Sequence, residues 1–155
     1  MRVIGIDFGM KRIGLALSDA TGLLASPWQT VQGGAPLAAA ARVAQLVSEL
    51  GAEDDGLAAI VVGLPRRLDG SDNDQTPIVR VFAAELARVT SLPVVLQDER
   101  LSSHEAESRL ALRERDWRKR KAKLDAVAAA IILQDYLDLL KDTEYRTQNT
   151  EDEGR

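Results

Sequence analysis

The 155-residue chain is long enough for one domain with a proper core and short for two, and its 45% apolar and 28% charged residues are ordinary for a globular protein. It has no cysteine, which excludes disulfides, thiolate chemistry and Cys-based zinc sites together and fits a reducing compartment. A net charge of −4 and a pI near 5.1 argue against a non-specific nucleic-acid coat, Asp7, Lys11 and Arg12 interrupt any signal-peptide core, and the longest apolar run, 126–133, is too short to span a bilayer, so a cytoplasmic location is expected.

Residues 2–7, "RVIGID", read as a buried strand that ends on a single carboxylate, Asp7. Residues 13–18 read as its hairpin partner, and 23–32 as a third strand in which Pro27 favours an edge or a bulge. Pro36 opens a helix whose Leu37, Ala40, Val43, Ala44, Val47 and Leu50 recur at helical spacing, with Gly51 as its stop. The wholly apolar run 57–65 has the character of a central strand covered on both faces. A polar loop over 66–77, a helix over 78–90 and a strand over 92–97 follow. Ser102 and Glu105 have the spacing of a capping box, a basic segment comes next, and a long helix is expected over 124–140. This order describes an α/β fold: a mixed sheet with an antiparallel N-terminal meander, then parallel strands, flanked by helices on both faces. Residues 1–140 form one domain, and the polar acidic tail 141–155 is expected to be disordered.

Charge is segregated along the chain. Between Arg109 and Lys123 eight cations stand against two acids, whereas from Asp142 onward five acids stand against two cations. The average charge therefore hides a basic segment suited to a phosphate backbone.

Three acids have surroundings that ask for a reason. Asp7 ends the first strand, Asp98 and Glu99 end another, and Asp125 lies on a helix whose same-face neighbours, Ala128, Ala129 and Ile132, let it approach the sheet closely. Taken singly, each has an ordinary reading as a turn cap, a surface loop or a first-turn helix acid. Taken together, buried acids need a neutralising cation, and a hard, oxygen-seeking ion such as Mg²⁺ or Mn²⁺ fits that chemistry. A pair of such ions bridged by one aspartate can hydrolyse a phosphodiester.

Four motifs, "GIDFGMKRIGLALSD", "VVGLPRRLDGS", "DERLSSHEA" and "RKRKAKLDAVAAAIILQDYLD", fall in one order over nearly all of residues 1–140 and resemble the YqgF family, also called RuvX, a family of Holliday-junction-resolvase type. The resemblance implies an RNase H-like fold and a metal-dependent nuclease maturing the 5′ end of pre-16S ribosomal RNA, with junction resolution as the older assignment. It places the acidic triad on Asp7, Glu99 and Asp125, with Asp7 touching both ions. Asp98 either supports that site or takes the place of Glu99. Gly9 matches the family glycine after the first acid, and Arg12 and Arg100 match motif positions suited to phosphate contacts. Gly63, Pro65, Asp69, Gly70 and Ser71 match the loop motif, which departs from the family in lacking Asn before the Asp-Gly step.

Arg118, Lys119, Arg120 and Lys121 are expected to hold the nucleic-acid backbone. Trp117 could stack on an unpaired base or pack as a staple, and Trp28 beside Pro27 reads as core or strand-edge packing. His104, the lone histidine, reads as an exposed first-turn residue. Two rival readings stand beside the nuclease: a non-catalytic nucleic-acid-binding module, and an actin-like ATPase fragment, since the first hairpin resembles that superfamily's phosphate hairpin. Expected partners are a pre-rRNA or branched DNA and no membrane, with the chain acting as a monomer or a homodimer.

Overall fold

A computed structural model describes residues 1–99 and 117–153, with side chains described over 1–99 and 123–148. Its strands are β1 (Arg2–Asp7), β2 (Arg12–Ser18), β3 (Ala25–Gln32), β4 (Leu57–Leu64) and β5 (Val94–Asp98); its helices are α1 (Pro36–Gly51), α2 (Thr76–Thr90) and α3 (Trp117–Glu153). The five strands form one sheet in the order β3-β2-β1-β4-β5. β1, β2 and β3 run antiparallel as a meander, while β4 and β5 run parallel to β1. β3 is the edge strand that Pro27 suggested, and it carries a bulge: Leu15 pairs with Gln29 and Ala16 with Pro27, so Trp28 is the extra residue.

Strand alternation separates two cores. Ile4, Ile6, Ile13, Leu15, Ile60 and Val62 pack under α1 and α2 with Val43, Val47, Phe82 and Leu86. The Phe8 and Phe82 rings, 4.7 Å apart, close this layer at the end of β1. Leu37, assigned by its spacing to the buried stripe of α1, is 59% exposed, because the buried face of the first turn is centred on Ala39 and Ala40 instead. α2 starts at Thr76, earlier than periodicity indicated. The Asn73 side-chain oxygen accepts hydrogen bonds from the backbone N–H groups of Gln75 and Thr76, and the Thr76 hydroxyl donates to the Pro65 carbonyl. The polar loop after β4 is thereby tied back to the strand end.

The other face belongs to α3. Val3, Ala16 and Val61 meet Ala129, Ala130, Ile132, Leu133 and Leu137. Three glycines on this face let the helix lie close. A side chain on Gly5 would strike Leu133 and the Ala129 carbonyl, one on Gly14 the Asp125 backbone, and one on Gly63 Ile132. Among the α3 residues whose side chains are described, Leu137 is the last that is buried, yet the helix continues to Glu153, with side chains exposed from Asp138 to Gln148. Here the structure departs from the expected disordered tail. Extension of an anchored helix needs no new nucleus, which is the physical reason a polar sequence can continue it.

Candidate active site

Alternation along β1 that sends Ile4 and Ile6 into the α1–α2 layer turns Val3, Gly5 and Asp7 toward α3. Asp7 pairs with Gly14, and the missing side chain of Gly14 is where the Asp125 backbone rests. The first acid and the helical acid are thus brought together by a glycine. Glu99 arrives from β5: its N–H donates to the Leu64 carbonyl at 3.3 Å, extending the ladder one residue beyond Asp98. Gly63 follows Val62, the partner of Ile6, so it stands level with Asp7. A side chain there would collide with the Glu99 carboxyl. Glycines in two different strands therefore make room for two of the three acids.

The electrostatics record this crowding. Burial, with a contribution from the charge of Asp125, raises Asp7 to about 6, although its hydrogen bond with Glu99 acts in the opposite direction. Burial, then the charge of Asp7, the hydrogen bond to Asp7 and the charge of Asp98 raise Glu99 to about 9. Glu99 accordingly keeps its proton at neutral pH and donates it to the Asp7 carboxylate. Asp125 has a different partner: its Oδ2 accepts a hydrogen bond from Arg12 Nε at 2.7 Å. Among the described residues no three acidic or histidine side chains stand assembled as a cation site, and Asp125 is paired with Arg12.

The remaining expectations fall unevenly. Asp98 pairs with Leu64, a residue of the α1–α2 layer, so alternation turns it to the sheet face opposite Asp7 and Glu99. Gly9 has a nearer cause than an approaching phosphate, because a side chain there would strike the Arg12 carbonyl across the β1–β2 turn. Ser71 donates from its N–H and its hydroxyl to the Asp69 carboxylate within the loop, where the backbones of Arg66 and Asp72 pair as an isolated antiparallel bridge. Arg100, His104 and the capping box lie outside the described residues. Trp117, Arg118, Lys119, Arg120 and Lys121 lie on the first turns of α3, with only the backbone described. The Arg12–Asp125 bond was missed from the sequence. Its only signal was a cation five residues after the first acid, which suits a phosphate equally well.

The donor set is compatible with a divalent ion. It consists of carboxylate oxygens alone, and two of them are so crowded that they retain a proton, a position that a hard cation can take over.

A family model described as "RuvX: Holliday junction resolvase" matches residues 1–139. A protein from Anaeromyxobacter sp. (strain Fw109-5) named "Putative pre-16S rRNA nuclease" is 44% identical over 138 residues, covering 89% of this chain and 97% of that one. A relative of the same name from Chloroflexus aurantiacus is 39% identical over 145 residues, covering 94% and 92%. Among solved structures, Thermus thermophilus RuvC aligns over 92% of this chain and 98% of its own with a TM-score of 0.52 at 19% identity. The fowlpox virus Holliday junction resolvase aligns over 90% and 99% with a TM-score of 0.52 at 14% identity. At such identities the two resolvases speak for the RNase H-like fold.

Proposed function

The chain belongs to the RuvX family and is by that membership a nuclease, and from this premise we propose that it is a divalent-metal-dependent endonuclease that trims the 5′ end of a pre-16S ribosomal RNA in the cytoplasm. The observation that carries the proposal is the Asp7–Glu99 pair, two carboxyls forced by burial and mutual repulsion to share a proton beside a third acid, Asp125. Asp7, Glu99 and Asp125 would hold one or two Mg²⁺ or Mn²⁺ ions. Bound there, such an ion would stabilise charge on the phosphate and make a water nucleophilic at neutral pH.

The protein's own part is positioning. Glu99 would release the proton it shares with Asp7 if the acids took up the cation. Arg12 restrains Asp125 through Nε, leaving its terminal N–H groups as donors for a substrate phosphate. Almost full-length similarity to proteins named as nucleases favours this activity over an ATPase fragment or a non-catalytic module.

The family description favours one second reading, cleavage of four-way DNA junctions. A cleavage assay separates the two. With Mn²⁺, the protein is expected to cut a 5′-extended 16S precursor and leave a synthetic four-way junction intact. Cutting the junction but not the precursor would replace the RNA assignment by the DNA one.

A further inference from the structure

Between α3 and edge strand β3 a cavity of about 420 Å³ opens, lined by Pro27, Trp28, Thr30, Lys123, Ala126 and Val127. We propose that this groove is a subsite for an unpaired nucleobase of the substrate strand, stacked on Trp28 with its phosphate at Lys123. The proposal rests on the nuclease reading for the identity of the strand.

Three observations select this occupant. Trp28 is the bulged residue of β3, and a bulge re-aims a side chain; it is 36% exposed and lines the groove, so part of its surface is open there. The opposite wall has the complementary charge. Lys123 is exposed, and it continues the run Arg118, Lys119, Arg120 and Lys121 on the same helix. The groove also neighbours the acidic site along the chain. Lys123 and Ala126 bracket Asp125, so at about 1.5 Å of rise per residue the groove wall and the acid share one turn of helix. Thr30 pairs with Gly14, the residue on which the Asp125 backbone rests. A strand lying across the acids can therefore place a flanking base here. Apolar walls with one cation and one indole suit a base face and a phosphate, and they carry no sequence code.

The test uses the full chain with Trp117→Phe, which leaves Trp28 as the sole tryptophan of the two. Oligouridylate, oligothymidylate and a blunt duplex are titrated against its emission, and binding is followed separately by anisotropy. Both single strands are expected to quench Trp28. Trp28→Ala is expected to weaken single-strand binding by roughly 5- to 100-fold while duplex binding holds, and Trp28→Phe to retain most of the affinity. Unchanged emission at saturation overturns the proposal. So does equal weakening of every ligand, or quenching that depends on protein concentration without oligonucleotide, which would place a second copy in the groove. If no nuclease activity is found on any substrate, the functional reading fails, whereas the quenching result still decides the groove.

Discussion

Asp7 and Glu99 share one proton because neither can be solvated and both cannot be charged. Folding therefore raises both acids, and the sign of the pH effect follows. The folded state keeps protons that the unfolded chain has released above 3.8 for Asp and 4.5 for Glu. The metal-free protein is thus expected to lose stability as pH rises from that range through about 6 and on toward about 9. Glu99→Gln keeps the shape and removes the titration. In melts from pH 5 to pH 9 without divalent ions it should be more stable than wild type by on the order of 1–3 kcal/mol at the alkaline end, with the difference shrinking at pH 5. A constant difference across that range would mean that the shared proton is absent. Mn²⁺ competes with the proton, so it should raise the wild-type melting temperature more at pH 8 than at pH 6. At this scale the three acids were visible in the sequence as strand-end and helix-face carboxylates. Arg12 as the partner of Asp125 was not, because a pair 113 residues apart leaves no local pattern.

At the scale of elements, the site depends on how closely α3 lies on the sheet. Gly5, Gly14 and Gly63 come from three strands, and each gives up a side chain to the helix or to Glu99. Gly14→Ala places a methyl against the Asp125 backbone, which cannot swing aside as a side chain can. It should cost about 1–3 kcal/mol in denaturant unfolding and, by lifting Asp125 from Asp7, lower cleavage more than substrate binding. Wild-type stability and rate in Gly14→Ala would show that the helix has slack over the sheet. The small face of α3 was legible as Ala128, Ala129 and Ile132, and Pro27 gave the edge strand. The strand glycines were not legible as contacts, since a glycine in a strand signals a close approach without naming what approaches. The end of α3 was equally hidden: apolar periodicity stops at Leu140, and polar residues can continue an anchored helix without displaying a pattern.

For the molecule as a whole, a net charge of −4 conceals a division of labour. Asp7 and Glu99 pair at the strand ends beneath α3, and a cation run occupies the helix turns just before Asp125. Substrate affinity should therefore depend on salt through that run. Arg118→Ala, Lys119→Ala and Arg120→Ala together are expected to weaken RNA binding and to flatten its log–log salt dependence by about 1 for each phosphate no longer neutralised; an unchanged slope would make the run a solvated face. The architecture, a meander followed by parallel strands with helices on both faces, was legible because each element declares its period and the connections are short. Among the described residues no helix is long and apolar enough to cross a membrane. The central proposal is that Asp7, Glu99 and Asp125 hold a divalent ion for phosphodiester hydrolysis. The direct measurement is cleavage of a 5′-extended 16S precursor by wild type and by Asp7→Asn, with Mn²⁺ and with EDTA. Wild type should cut only with the metal, and Asp7→Asn, folded and at least as stable, should not cut under either condition. Cleavage by Asp7→Asn at the wild-type rate would contradict the account.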